Sequence, residues 1–357
     1  MRKLQILFLS GLLVSAVILY FIFHFNQYQG HSSQNILTIF NWGDYIDQTL
    51  IERFEKETGI TVIYETFDSN EAMMTKIEQG GTTYDIAVPS EYMIDKMRQE
   101  KLLMPLEHEK LPNLKYIDER FMDLPFDPGN KYSIPYFWGT VGITYNTKLL
   151  PNKEFNSWND LWDPALKNEI ILIDGAREII GMGLNSLGYS LNDTNPKHLK
   201  EAYEKLSQLT PNVKAIVGDE NKLLMQNNEA AVAVIWSGDA ADIMFENDAI
   251  DYVIPEEGSN LWFDNIVIPK TAKNVEAAHQ FINFMLDPKI AAQNTEYVAY
   301  STPNKEALKY IDSEMVEDER FYPPPALTKK LEVYENLGKK NLATYNDLFL
   351  EFKMYGK

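Results

Sequence analysis

The sequence predicts an α/β protein of two domains. Its 357 residues exceed what a single hydrophobic core usually organises. The part after residue 35 opens with β-rich runs alternating with helical patterns, in the order β-α-β-α-β. Further strand-then-helix units follow after a break in the pattern. Apolar residues at 45% and charged residues at 24% are globular proportions and exclude a disordered or fibrous chain.

Each element has a local reason. Ile36–Phe40 is apolar and β-rich, and Asn41-Trp42-Gly43-Asp44 is turn-like. Leu50, Ile51 and Phe54 fall on one helical face, and Gly59 stands where a helix stops. Ile60–Tyr64 reads as a second strand. Asp68 with Glu71 three residues on predicts a capped helix start, running through Ile77 to Gly80-Gly81. Tyr84–Val88 is a third strand, ended by Pro89, and such units pair their strands in parallel. The pattern changes after Pro135-Tyr136-Phe137-Trp138-Gly139. Val141–Tyr145 is the next strand. Ile170–Ile173 leads into Asp174-Gly175-Ala176-Arg177-Glu178 and a helix. Ala231–Ile235 leads into Trp236-Ser237-Gly238-Asp239 and another. A strand near Ile266–Ile268, the helix Val275–Leu286 and a helical C-terminal stretch complete the reading.

The N-terminus is a separate object. Arg2 and Lys3 precede a run from Ile6 to Phe25 without Asp, Glu, Lys or Arg. About 20 such residues span a bilayer as a helix, and basic residues before them orient the start inward, so the bulk is exported. The stretch ends in bulky Tyr20, Phe21, Ile22 and Phe23 with no small-x-small cleavage site, which favours an uncleaved anchor over a cleaved signal peptide. Residues 1–30 are therefore set apart, and Gly30 to Asn35 reads as a polar tether.

Composition narrows the chemistry. Lys plus Arg number 33 against 52 Asp plus Glu, a net charge of −19 that repels nucleic acid and anionic lipid and tolerates cationic partners. The absence of cysteine excludes a disulfide scaffold, a thiol nucleophile, a Cys zinc site and lipid attachment through an N-terminal Cys. His24, His31, His108, His198 and His279 stand in no nucleophile–base or metal-ligand spacing. No phosphate loop, dinucleotide fingerprint or hydrolase motif is present, so neither an enzyme nor a cofactor is expected.

In open parallel sheets ligands bind beyond the carboxyl ends of strands. That rule selects Trp42, Asp44 and Tyr45 after the first strand, and Ser90, Glu91 and Tyr92 after the third. It also selects Asp174 and Glu178, then Trp236 and Asp239, and finally Trp262 and Asp264 just before the strand at Ile266. A large aromatic close to a carboxylate recurs, with Arg177 the only nearby cation. Carboxylates take charge-assisted hydrogen bonds from ammonium groups, and indole or phenol faces cover methylene stretches. The combination suits a flexible organic cation such as a polyamine. Each residue also has a plainer reading. A tryptophan fills cores, Asp44 and Asp239 serve turns or helix caps, Glu91 reads as a solvated surface charge, and Tyr45 packs on the following helix.

Taken in order, these residues resemble a family, the extracytoplasmic spermidine/putrescine-binding proteins of bacterial polyamine ABC importers. The likeness covers the chain from Leu37 to the C-terminus. It rests on Phe40-Asn41-Trp42 with Tyr45, Glu57-Thr58-Gly59-Ile60 with Val62, Tyr84-Asp85 with Val88-Pro89-Ser90, and Ser133-Ile134-Pro135-Tyr136. It continues through Ala176-Arg177-Glu178, Ile235-Trp236, Trp262 with Asp264, and Thr302-Pro303-Asn304. The resemblance implies a type II periplasmic-binding-protein fold: two α/β domains, 34–140 plus 264–309 and 141–263 plus 310–357, hinged around a cleft. It implies that Trp42, Tyr45, Ser90, Tyr92, Trp236, Trp262 and Tyr300 supply aromatic or hydroxyl contacts, and that Glu178 and Asp264 hold ammonium groups. It assigns no direct contact to Asp44, Glu91 or Asp239. Its implied partners are a membrane permease and a cytoplasmic ATPase. Gly43, Gly175 and Tyr334 depart from the family pattern, where a hydroxyl, a second carboxylate and a glutamine amide can stand. The alternatives are a same-fold protein for another organic cation or ferric iron, or a surface receptor without transport.

Overall fold

The computed structural model describes residues 35–218 and 220–355. The apolar run Ile6–Phe25 lies outside the described residues. Among the described residues no helix is long and apolar enough to cross a membrane.

Strand β1 (Ile36–Trp42) leads to α1 (Gln48–Thr58). Asp47 caps α1 by accepting the Thr49 N–H at 2.9 Å, and Gly59 ends it in the left-handed region at φ 71°. Leu50, Ile51 and Phe54 are its buried face. Strand β2 (Thr61–Phe67) and helix α2 (Asn70–Gln79) follow. The α2 cap is Ser69 rather than Asp68: its hydroxyl accepts the Ala72 N–H at 3.2 Å, and the helix begins at the next residue. Strand β3 (Ile86–Ala87) is shorter than its apolar run, because only Ile86 and Ala87 pair with β1. Helix α3 (Glu91–Gln99) starts directly after Ser90.

Strand β4 (Ser133–Asn146) is 14 residues long and begins well before Val141. A proline costs the ladder a hydrogen bond, and β4 accommodates Pro135 through a register shift between Pro135 and Phe137. Next come β5 (Ile170–Ile173), α4 (Ala176–Asn185), α5 (Pro196–Leu209), β6 (Val213–Val217), α6 (Glu220–Gln226), β7 (Val232–Trp236), α7 (Ser237–Glu246) and β8 (Ile250–Val253). Strand β9 (Leu261–Val267) starts earlier than the sequence pattern predicts, so Trp262 and Asp264 lie within the strand and not before it. Helices α8 (Val275–Met285) and α9 (Pro288–Val298), two four-residue helical turns at Ser313–Val316 and Pro325–Thr328, and α10 (Gly338–Tyr355) follow. The expected helical C-terminal stretch is mostly irregular ahead of α10, where Pro323 and Pro324 interrupt it.

The strands form a mixed sheet in the order β2-β1-β3-β9-β4-β7-β5-β6, with β8 beside β4. Strand β1 is parallel to β2 and β3, and β5 is parallel to β6 and β7, as the βαβ pattern requires. The middle departs from that pattern. Strand β9 runs antiparallel to both β3 and β4. Strand β4 pairs with β9 over Ser133–Thr140, then with β7 and β8 over Val141–Asn146. One strand therefore serves both halves of the sheet. Phe40, Phe54, Tyr84 and Phe137 fill the core of the first half; Phe155, Trp158 and Tyr345 fill that of the second. Helix α10 buries Tyr345, Phe349 and Phe352 as it packs on α4 and α5.

Candidate functional site

The carboxyl ends of four strands, two in each half of the sheet and pointing toward each other, carry the selected residues. Trp42 closes β1, Ser90 and Glu91 follow β3, Gly175 and Glu178 follow β5, and Trp236 closes β7 and begins α7. Trp262 and Asp264 arrive differently, from the middle of antiparallel β9. There Trp262 is in register with Gly139, and Asp264 with Phe137 and, by an isolated bridge, Ser90.

Asp264 is the centre of one cluster. It is 7% exposed and accepts two hydroxyl hydrogen bonds, from Tyr45 Oη and Ser90 Oγ, both at 2.7 Å. Asn70 holds Ser90 in place: its Nδ2 donates to Ser90 Oγ, and its Oδ1 accepts the Ser90 N–H, each at 3.0 Å. Among the described residues no lysine or arginine pairs with Asp264. Burial pushes its carboxyl up to about 6, and the two hydroxyl donors offset only part of that cost. Burial and the Asp264 charge push the Tyr45 phenol far up, so Tyr45 stays a donor. Aromatic rings wall this carboxylate. Tyr300 stands edge-on to Trp262 at 5.1 Å and to Tyr45 at 5.6 Å. Its hydroxyl donates to Asp239 Oδ1 at 3.3 Å. A Cβ on Gly238 would lie 2.2 Å from the Tyr300 ring, so the first turn of α7 admits that ring only because residue 238 is glycine. Trp262 is 8% exposed, and its indole N–H is buried with no acceptor among the described residues.

Glu178 is the centre of a second cluster. It lies in the first turn of α4, half-buried, among Tyr334, Arg177 and Glu71. Loss of hydration raises its carboxyl; its own N–H, Arg177 and the Tyr334 hydroxyl pull back, and Glu71 pushes up again. Tyr92 reaches the same place. Its hydroxyl donates to Glu71 Oε1 at 3.4 Å, and its ring meets Tyr334 edge-on at 6.4 Å. Arg177 does not pair with Glu178. Its guanidinium lies 4.3 Å over the Tyr334 ring and donates to the Glu335 carbonyl and to Asn192 Oδ1.

Tyr45, Ser90, Trp262, Asp264 and Tyr300 thus meet directly, and Tyr92 meets the Glu178 cluster through Glu71 and Tyr334. Trp42 stacks tilted on Phe67 at 4.5 Å, with its indole N–H buried and meeting no acceptor among the described residues. Trp236 is half-buried on the rim and pairs by its backbone with Val141. Some sequence expectations change. Glu91 is not a solvated charge but is fully buried. Tyr45 packs on Tyr136, Phe137 and Tyr300 rather than on α1 alone. Asp44 is an exposed turn residue at φ 47°, and the helix cap falls to Asp47. Asp239 faces Lys222 at 3.8 Å, so Arg177 is not the sole cation at the rim. Asp174 turns away to Lys353 at 2.6 Å. Sequence reasoning missed Asn70 and Glu71; the polar Asn70-Glu71 pair opening a helix was their only signal. Among the described residues no group of three or more His, Asp or Glu is placed to hold a metal ion.

A mixed sheet with parallel outer strands, a shared antiparallel middle and a ligand-type rim is the α/β periplasmic-binding-protein fold. The chain belongs to the bacterial extracellular solute-binding protein family, whose profile matches residues 49–322. It is 39% identical to the spermidine/putrescine-binding periplasmic protein of Salmonella typhimurium over 325 residues, covering 90% of this chain and 93% of the relative. Among solved structures it resembles a spermidine/putrescine ABC transporter protein from Listeria monocytogenes, with TM-score 0.86 and 67% identity over 90% of this chain and 99% of that one. A spermidine/putrescine ABC transporter substrate-binding protein from Streptococcus pneumoniae is similar at TM-score 0.83 and 56% identity, covering 90% of this chain and all of the other.

Proposed function

We propose that the protein binds a polyamine of the spermidine/putrescine class outside the cytoplasm and delivers it to the permease of an ABC importer, without bond chemistry. The observation that carries this is Asp264: a buried carboxylate met, among the described residues, only by hydroxyls, and walled by Tyr45, Trp262 and Tyr300. A dry carboxylate is costly without a cation, and aromatic faces favour one with alkyl linkers. Glu178 supplies a second anionic socket, with Tyr92 and Tyr334 beside it. Two sockets bordered by rings suit two ammonium groups joined by methylenes. The relatives named for spermidine and putrescine support the same ligand class.

The ligand contacts in this reading are Trp42, Tyr45, Ser90, Tyr92, Glu178, Trp236, Trp262, Asp264 and Tyr300. The arrangement is type II, with domains 34–140 plus 264–309 and 141–263 plus 310–357. The change of partners along β4 at Thr140 and Val141 supports a hinge there. Cation binding between the lobes shifts the population toward a closed form that docks on the permease. The run Ile6–Phe25 anchors the chain in the membrane, a role supported by its length and lack of charge.

The test is a thermal-shift screen of the purified protein with putrescine, spermidine, spermine, lysine, choline and ferric citrate. A bound ligand at 100 times its dissociation constant adds about 2.7 kcal/mol of stability. Polyamines are expected to shift the melting temperature and choline and ferric citrate are not. Silence with every polyamine, or a larger shift with choline or iron, sinks the reading.

A further inference from the structure

Between the two anionic clusters stands a third carboxyl. Glu91 opens α3 and is flanked by Ser90, which bonds to Asp264, and Tyr92, which reaches the Glu178 cluster. Its side chain is 0% exposed. Oε2 accepts the Phe263 backbone N–H at 2.9 Å, one residue from Asp264. Oε1 is buried and meets no donor among the described residues. The charged and titratable groups that face Glu91 are Asp264 from β9, Arg177 from α4 and Tyr334 from the segment before α10. Arg177 is engaged with Tyr334, Glu335 and Asn192 and leaves Glu91 Oε1 unpaired.

An ionised carboxylate with one oxygen unsatisfied and dry is expensive. Burial accordingly pushes Glu91 up to about 8; the Phe263 N–H, its own N–H and Arg177 pull it down, and Asp264 pushes it further up. At neutral pH the free protein therefore holds a proton on Glu91. A cation placed between Asp264 and Glu178 reverses this balance, because a nearby positive charge favours the ionised form.

We propose that Glu91 is a third, proton-exchanging carboxyl of the site: an arriving ammonium ligand displaces its proton to solvent, and the carboxylate remains on the Phe263 N–H at the start of α3 as an added negative charge. No other bond forms or breaks. The proposal rests on the polyamine reading and adds to it a linkage between binding and pH.

Calorimetry of the full-length protein with putrescine and with spermidine at pH 7.5, in two buffers of different ionisation heat, counts the protons released. The wild type is expected to release about three quarters of a proton more per ligand than E91Q, the protonated fraction of a carboxyl titrating at about 8. Subtracting one protein from the other cancels any proton exchanged by the ligand. A second measurement needs no variant. Wild-type affinity for putrescine is expected to rise about eightfold from pH 7.0 to pH 8.5, the ratio of ionised fractions for that carboxyl. Ligand binding with equal proton release in both proteins, or a flat wild-type affinity over that range, overturns the role of Glu91 and leaves the polyamine reading standing. Absence of binding by either polyamine overturns both.

Discussion

Replacing Asp264 by Asn is expected to stabilise the free protein while it weakens ligand binding. In the native state the Asp264 carboxyl titrates at about 6, against 3.8 for an unperturbed side chain. A carboxyl raised on folding binds its proton more tightly in the native than in the unfolded chain, so stability falls as pH rises from 3.8 to about 6 and stays lowered above that window. Each pKa unit is worth about 1.4 kcal/mol, which puts the penalty carried by ionised Asp264 at about 3 kcal/mol. Asn keeps the shape and carries no charge to desolvate; it accepts from one of the two hydroxyls, and the other must turn to accept from its Nδ2–H. At pH 7.5 the ligand-free D264N protein should therefore gain up to about 3 kcal/mol in urea denaturation, and the gain should vanish near pH 3.5. The ligand arm has the opposite sign, because the ammonium group loses its counter-charge. Affinity for a bound polyamine should fall by about 2–5 kcal/mol in calorimetry, the cost of unpairing a buried charge pair. A variant that is less stable at pH 7.5, or one that binds polyamine as the wild type does, refutes the placement of Asp264 as a dry socket.

Two glycines give further tests. In G238A the new methyl would sit 2.2 Å from the Tyr300 ring, so the ring must leave Trp262 and Tyr45. Denaturation should show a loss of about 1–3 kcal/mol, as for other overpacked sites, and calorimetry a drop in polyamine affinity of at least about tenfold, since a displaced wall loses binding surface; undiminished affinity argues against Tyr300 as a wall. In G175A the methyl would lie 2.1 Å from Glu178 Oε2, the far end of a flexible side chain. Swinging that carboxylate aside should change stability by less than about 1 kcal/mol yet weaken polyamine binding, so a ligand titration that matches the wild type removes Glu178 from the site.

The parts of this fold that the sequence displays are those decided by local chemistry. The caps at Gly59 and Gly80, the buried face of α1 and the strand Ile170–Ile173 depend on residues a few positions apart. The rule of strand carboxyl ends reached Trp42, Ser90, Glu178 and Trp236 for the same reason: each follows a strand that could be seen. Strand β9 could not be seen whole, because Asp264 and Asn265 interrupt its apolar run, and only the Val141–Tyr145 part of β4 was legible, its first half carrying Pro135. Glu91 is the sharper case. Its burial is decided by Phe263, 172 residues away in the chain, and no periodicity within α3 records that contact. Tyr300 reached the list through resemblance alone; its neighbours Trp262, Tyr45 and Gly238 come from three separate segments.

A fold built only for stability would avoid these carboxyls. Asp264 is held by hydroxyls where an arginine would neutralise it, and Glu91 keeps one oxygen without a donor among the described residues. Such conflicts between burial and charge gather at functional sites. Here the same conflict is what makes ligand matter. In the hinged two-domain reading proposed above, an unligated closed crevice would hold dry negative charge, so closure without a cation would be disfavoured and a ligand that neutralises the charge would bind the closed form preferentially. Removing the penalty at Asp264 alone, about 3 kcal/mol, moves such an equilibrium by about a hundredfold. Substituting apolar residues for both carboxyls would then yield a tighter, more stable protein that closes whether or not ligand is present, and so no longer reports its cargo.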